Sequence, residues 1–371
     1  MRKLFTFAEL RPRSDCFGRT LKPTPVSGPA IACDRVNQNG VAAFGGYNPN
    51  FRSTEESTGG TFGQFMNFNV FTKRWTEMPV VGETPFLVSH SAFQLAEHRY
   101  LLYCGTMART TSIAYAYNSG TGVISDVVIS DCPRVDDNWF GDAATLHEGK
   151  LYVTVGDINV NEAAIHFFDL TCMKWKEVVK SDHVNMFPLV RPELVVFNQC
   201  LYVFGGGQDL LMNMKGLKVI QFFDMRSNEW VSVNTAPYFG QYPLPRMFHR
   251  CTPFGSKAYL SGGYTVLEND DHRVEPTVLG DVWSFDLRTF TWQRLEKDLP
   301  YPVWLHDADT DGVSTMYIFG GVCDSHYKFH SSQLWSADLV VPSLRTLTWR
   351  AVDVEQCSNI LKHIDGCRLE Y

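Results

Sequence analysis

His326-Tyr327-Lys328-Phe329-His330 gathers two imidazoles and a phenol within five residues, and Tyr103-Cys104 sets a thiol beside another phenol. These groups ligate transition metals, so both runs are the first places to look for metal chemistry. The His-rich run follows a glycine pair, where loops collect polar residues in any case, so no metal and no other cofactor is expected. Motifs for covalent and phosphoryl chemistry are missing. There is no Gly-x-Ser-x-Gly elbow, no phosphate loop and no His-Glu-x-x-His pair. The residue types point away from an enzyme and toward a binding protein.

Charge and composition narrow the partners. The net charge is -7 and no basic run occurs, which disfavours nucleic acid. No stretch approaches 18 consecutive apolar residues, so no membrane-spanning helix is expected. The apolar start, Leu4 to Phe7, is broken by Glu9 and Arg11, too soon for a secretory signal. No two of the ten cysteines are separated by only two residues, so zinc-ribbon spacing is absent. Their even number permits disulfides, but free thiols in a reducing compartment are the expectation. Asn-x-Ser/Thr acceptor sites are also lacking, which fits a cytoplasmic or nuclear home.

The elements that position any site are set by a repeat. An apolar strand ending in glycine recurs: Val41-Ala42-Ala43-Phe44-Gly45-Gly46, Leu101-Leu102-Tyr103-Cys104-Gly105, Leu151-Tyr152-Val153-Thr154-Val155-Gly156, Leu201-Tyr202-Val203-Phe204-Gly205-Gly206, Ala258-Tyr259-Leu260-Ser261-Gly262-Gly263 and Met316-Tyr317-Ile318-Phe319-Gly320-Gly321. The second and third units have lost the glycine pair. The closing glycines fall 50–59 residues apart, a period at which one repeat makes one four-stranded propeller blade.

A second signature follows in each unit: an aromatic strand, a turn, then Trp. Phe71 precedes Trp75, Phe167-Phe168-Asp169 precedes Trp175, Phe222-Phe223-Asp224 precedes Trp230, and Trp283-Ser284-Phe285-Asp286 precedes Trp292. In the last unit Trp335 precedes Trp349; the second has Tyr115-Ala116-Tyr117 but Ile124 in place of Trp. Glycine permits the positive φ of a tight turn. The aromatic rings suit the space between facing sheets about 10 Å apart. The Asp suits a turn, since its carboxylate can accept from nearby backbone amides. The fold expected is all-β: a six-bladed propeller over residues 30–352 with a short C-terminal extension. A single β-helix or sandwich does not explain glycines and Trp recurring together.

Residues 1–29, with Pro12, Pro23, Pro25 and Pro29, read as an irregular lead-in that could supply a closing strand. The inserts Asn48 to Phe65 and Tyr264 to Gly280 read as loops on a propeller face, where recognition is usually carried. Residues 359–364 have apolar positions at helical spacing.

The paired-glycine strands and aromatic–Trp units resemble those of kelch-repeat proteins over the whole chain. Within that family the chain is similar to a branch of ubiquitin-ligase substrate receptors. That narrower likeness rests on Phe44-Gly45-Gly46-Tyr47-Asn48-Pro49-Asn50, on Ser261-Gly262-Gly263-Tyr264 with Leu279-Gly280-Asp281-Val282-Trp283 and Thr289-Phe290-Thr291-Trp292, and on Leu339-Val340-Val341-Pro342-Ser343-Leu344 with Leu347 and Trp349.

The resemblance implies a non-catalytic receptor that joins the elongin B–elongin C adaptor and through it a cullin–RING module. The adaptor contact of such receptors is matched by Ser343, Leu344, Thr348 and Val352, with Leu347 between them. Thr348 stands where the family has Cys or Ala. The segment 342–371 then holds this adaptor box and a tail in which Ile360, Leu361, Ile364 and Leu369 offer an apolar surface to the cullin. The relatives also bind client proteins by their C-termini, whose free carboxylate is best met by an Arg fork. That implies client contacts from Arg191, Arg246, His249 and His306, with Ser91 and Ser89 from the second blade; Asn138 occupies the third blade's place. A non-degradative kelch interaction scaffold is the alternative.

Overall fold

In the computed structural model, the described residues are 4–15, 17–51, 57–58, 60–103, 114–127, 143–157, 162–178, 190–207, 213–268, 274–341 and 343. They contain strands and turns and no helix. Six four-stranded antiparallel sheets form the blades of a propeller. From the axis outward, blade one is Ala30–Cys33, Gly40–Phe44, Phe65–Asn69 and Arg74–Glu77. Blade two is Ser91–Ala96, Arg99–Tyr103, Ala114–Asn118 and Ile124–Asp126. Blade three is Ala144–His147, Lys150–Asp157, Glu162–Asp169 and Lys174–Val178. Blade four is Glu193–Phe197, Cys200–Phe204, Val219–Asp224 and Glu229–Asn234. Blade five is Arg250–Phe254, Lys257–Ser261, Val282–Asp286 and Thr291–Arg294. Blade six is Asp307–Thr310, Thr315–Phe319 and Leu334–Asp338, and its outer strand is Ala8–Glu9.

The N-terminus therefore closes the ring. Ala8 pairs with Ser336 and Glu9 with Trp335, and Phe7 and Leu10 are buried against the sixth blade and its neighbour. Trp349, expected in the last blade, lies outside the described residues, as does the 359–364 segment; the place beside Leu334–Asp338 belongs to Ala8–Glu9. The two inserts read as loops each contain a small hairpin, Ser57–Thr58 with Thr61–Phe62 and Tyr264–Glu268 with Val274–Val278. The fifth-blade insert carries β-branched residues in both arms, Thr265-Val266 and Val274 with Thr277-Val278, which pair once brought side by side.

The glycine pairs do more than turn the chain. A Cβ on the first glycine would meet the next blade: 2.3 Å from the Leu87 carbonyl at Gly45, 2.5 Å from His249 Cε1 at Gly205, 2.4 Å from the Val303 carbonyl at Gly262 and 2.8 Å from Pro29 at Gly320. The second glycine donates its N–H to the same neighbour: Gly46 to Leu87 O (2.7 Å), Gly206 to Arg246 O (3.0 Å), Gly263 to Val303 O (2.8 Å) and Gly321 to Val26 O (2.8 Å). Each pair is a seam between blades, and the contact of Gly320 with Pro29 seals the last blade onto the first.

The aromatic–Trp units fill the outer part of the seams. Phe68 opposes Trp75, Phe168 opposes Trp175, Phe223 opposes Trp230 and Phe285 opposes Trp292. Trp75 of blade one packs on Phe319 of blade six at 5.5 Å, and Trp292 of blade five on Phe204 of blade four at 6.2 Å. Blade two lacks the Trp, and Tyr117 takes its role: it packs on Phe65 and Phe44 of blade one and donates to Pro79 O (2.7 Å). The Asp residues cap the turns. Asp169, Asp224 and Asp286 each accept at 2.9 Å from the amide two residues on.

Candidate functional site

The innermost strand of each blade has one edge facing the axis, where no further strand pairs with it. In an antiparallel ladder alternate amides point out of that edge. Two residues ahead of the inner strands of blades one, two, four, five and six the chain turns through a left-handed residue: Gly28, Ser89, Arg191, Phe248 and Leu305, with φ between +53° and +57°. Four of them bond in sequence around the axis. Ser89 N–H donates to Gly28 O (2.7 Å), Gly28 N–H to Leu305 O (2.8 Å) and Leu305 N–H to Phe248 O (3.0 Å). This backbone collar frames a depression at one end of the propeller, lined among others by Ser89, Ser91, Arg191, Glu193, Arg250 and Asp307.

Just below the collar, equivalent positions of the six blades form a ring: Ala30, Ser91, Ala143, Glu193, Arg250 and Asp307. Half of it is small and half is ionic. Arg250 Nη1 donates to Glu193 Oε1 (2.9 Å), and its Nε lies 2.6 Å from Asp307 Oδ1 as an ion pair. The other carboxylate oxygens reach the open edge of the following blade: Cys251 N–H donates to Glu193 Oε2 (3.3 Å) and Ile31 N–H to Asp307 Oδ2 (2.6 Å). One level deeper, Cys33 N–H donates to Asp309 Oδ2 (2.9 Å). Burial pushes the carboxyls of Glu193 and Asp307 up while Arg250 pulls them down. Burial also opposes the charge of Arg250, but Asp307 and Glu193 outweigh it and raise its pKa.

One of the expected client contacts lies elsewhere. Arg246 is fully buried. Its fork is held by Asp281 through two bonds of 2.7 and 2.9 Å, and it also donates to Gly262 O and Leu244 O. It lies four residues ahead of its inner strand, whereas Arg191 lies two ahead of its own, so the two arginines are not equivalent. The blade-five counterpart of Arg191 is Phe248, over whose ring the Arg191 guanidinium sits at 5.5 Å. His249 stays at the depression, among the residues that line it. It is buried against Gly205 in the seam between blades four and five.

His306 occupies the corresponding seam beside Gly262 and pairs with Ser261 Oγ at 3.0 Å. His90 fills the seam beside Gly45. All three imidazoles border the depression from below, and desolvation holds them neutral, with His90 and His306 lowered to about 3 and His249 well below its usual value. Ser91 stays at the ring, mostly buried, and Arg191 stays at the rim.

Glu193, Arg250 and Asp307 were not legible as a unit, because no two are close in sequence. Their signal is positional: each is the first residue of an inner strand. In the sixth-blade loop, Tyr327 meets Ser27 Oγ through its hydroxyl and packs edge-to-face on His330 at 4.8 Å, while Asp324 accepts from the amides of His326, Lys328 and Phe329. These contacts give the His-Tyr run a loop-holding role. Cys104, Asn138, Leu344, Leu347, Thr348 and Val352 lie outside the described residues; Ser343 is exposed.

A propeller whose blades are seamed by glycine pairs, with a polar depression on its axis, is a kelch-type protein-interaction domain. A family model described as the KLHDC2/KLHL20/DRC7 Kelch-repeats domain matches residues 31–263 and 141–363, and the chain belongs to the kelch-repeat family. It is similar to Kelch domain-containing protein 10 of Mus musculus, 28% identical over 90% of this chain and 75% of the relative. It is likewise similar to that of Xenopus tropicalis, 27% identical over 88% of this chain and 78% of the relative. Among solved structures it resembles the one titled "Structure of YjhT", with a TM-score of 0.61 and 12% identity over 88% of this chain and 96% of that one, a likeness of fold alone.

Proposed function

We propose that this chain is a substrate-recognition subunit of a cullin–RING ubiquitin ligase. The propeller binds client proteins by their C-termini, and the segment from Ser343 through Leu344, Leu347, Thr348 and Val352 joins elongin B and elongin C. The observation that carries the client half is the axial depression, which brings the guanidinium of Arg191 and the hydroxyls of Ser89 and Ser91 to one polar pocket. Arg191 at the rim takes the carboxylate-binding role that the sequence divided between Arg191 and Arg246. The chain works by recruitment, raising the local concentration of a client lysine near the ubiquitin carrier, and it does no bond chemistry itself. Such a receptor works in the cytoplasm or nucleus.

Co-expression with elongin B and elongin C tests the assignment. Co-purification of both elongins with the wild type, and their loss in Leu344→Asp, is the expected result. A folded wild type that retains neither elongin returns the chain to the class of non-degradative kelch scaffolds.

A further inference from the structure

The end of blade six that points away from the depression carries an apolar corner. Thr315 pairs with Asp338 at that end, and three stretches of chain come together there: the entry to the closing strand, the turn after Asp307–Thr310 and the exit from Leu334–Asp338. They leave Leu4 37% exposed, Val313 39%, Val340 40% and Val341 69%. Phe5 N–H donates to Asp338 O (2.9 Å) and Leu339 N–H to Ser314 O (2.7 Å), which ties the stretches to one another. Leu339 itself is buried. The Asp311 carboxylate holds the turn by accepting from the amides of Val313, Ser314 and Thr315 at 2.8–2.9 Å. Scattered exposed apolar residues are ordinary, but four gathered from three stretches on a held framework mark an interaction surface.

Chain length decides what lies against this corner. Val341 is two residues ahead of Ser343 and three ahead of Leu344. Three residues of extended chain span at most about 10 Å, roughly the diameter of one helix with its side chains. No linker separates the corner from the adaptor box, so a folded partner that takes Leu344 is brought against Val340 and Val341. Val313 and Leu4, tied to the same exit by the bonds above, extend that contact. A polar corner would have to be desolvated by such a partner at a cost, whereas these four side chains gain from leaving water.

We propose that Leu4, Val313, Val340 and Val341 form a second seat for the elongin adaptor, which holds the propeller by this corner as well as by the box from Ser343 to Val352. The inference rests on the adaptor reading above and adds a surface of the propeller to it. The seat fixes the geometry of the assembly. Asp307, which lines the depression, lies at the opposite end of blade six from the Thr315–Asp338 pair, so client and adaptor occupy opposite ends of the propeller. Leu4 also makes the seat depend on ring closure, since Ala8–Glu9 must be paired before the corner is complete.

Titrating the full chain with purified elongin B–elongin C complex tests the seat. Val341→Asp and Val313→Asp each put a charge in the corner. Val81→Asp does the same at a valine 63% exposed beside Val123 of blade two, away from the corner, and Leu344→Asp disables the box. The three valines reach solvent, so melting temperatures should match wild type. Leu344→Asp should abolish binding, and each corner variant should weaken it by about tenfold, or 1.4 kcal/mol, with Val81→Asp at wild-type affinity. Wild-type affinity in both corner variants, or equal weakening by Val81→Asp, overturns the seat and leaves the adaptor reading intact. No elongin binding by the wild type overturns the adaptor reading and the seat with it. A wild type that is dimeric in light scattering, and that Val341→Asp makes monomeric at unchanged elongin affinity, assigns the corner to a second copy of this chain and overturns the seat.

Discussion

The Arg246 guanidinium and the Asp281 carboxylate meet as two parallel forks, Nη1 to Oδ1 at 2.7 Å and Nη2 to Oδ2 at 2.9 Å, with no part of Arg246 reaching solvent. Trp283 Nε1 donates to the same carboxylate at 2.6 Å, so the pair ties the approach to blade five to that blade's third strand. Removing one member leaves a buried charge without its counterion, which costs about 3–5 kcal/mol. Arg246→Ala should therefore lose about that much in urea unfolding. Its folded fraction should bind client peptide as wild type does. A large affinity loss in a variant of unchanged stability would return Arg246 to the client site.

Arg250 sits between Glu193 and Asp307 in the axial ring. Arg250→Met brings two buried carboxylates face to face with nothing between them. Stability at pH 7.5 should fall by about 3–5 kcal/mol. Part of the loss should return on acidification, because one carboxyl can then be protonated. Measuring unfolding at pH 7.5 and 5.5 checks both statements.

Gly205 and Gly255 have nearly the same backbone, φ +61° and +60°, but different surroundings. A Cβ at 205 would stand 2.5 Å from His249 Cε1, while nothing lies within 4 Å at 255. Gly255→Ala should cost only the left-handed strain, about 1–2 kcal/mol. Gly205→Ala adds a clash across the seam and should cost about 2–5 kcal/mol. Equal melting temperatures for the two variants would contradict the seam.

His90, His249 and His306 are neutral in the fold, their pKa values held below the usual 6.5 by desolvation. A histidine depressed in the fold costs nothing above pH 6.5, where both states are neutral. Below it the unfolded chain binds protons the fold excludes, so stability falls as pH drops from about 6.5 toward 3, by up to about 1.4 kcal/mol per unit for each group. Glu193 and Asp307, raised by burial, act in the opposite sense at lower pH. The clean comparison is thus wild type against His90→Gln between pH 6.5 and 5.5, where the variant's slope should be shallower by up to that amount.

Ala8–Glu9 is the outer strand of blade six. Deleting residues 1–10 removes Phe7 and Leu10 from their packing and bares the edge of Leu334–Asp338. Each buried apolar side chain is worth roughly 1.5–3 kcal/mol, so the loss should be about 3–6 kcal/mol. Bare edges also pair with other chains, so light scattering should show association in the truncated protein and not in the full chain.

The six blades and most of the residues packed between them could be read from the sequence because they repeat. A glycine pair, a Phe and a Trp recurring together have few structural explanations, and Gly205, Phe223 and Trp230 do in the fold what their types suggest. Even the divergent second blade kept its logic, since Tyr117 stands in for the Trp replaced at Ile124. The site was less legible. Arg191 and Arg246 look alike in sequence, each a few residues ahead of a strand. A two-residue difference in offset sends one to the rim and the other into a buried pair, and only the left-handed turn at Arg191 reveals the register.

The sequence by itself determined the repeat, and with it the blade count and the type of core, because strand and turn preferences act over a few residues. The tertiary structure alone decided which terminus closes the ring, which arginine faces the axis, and that Glu193, Arg250 and Asp307 form one network. Those outcomes depend on residues some 57 positions apart becoming neighbours around the axis, and no local preference encodes a contact that exists only once the six blades have closed.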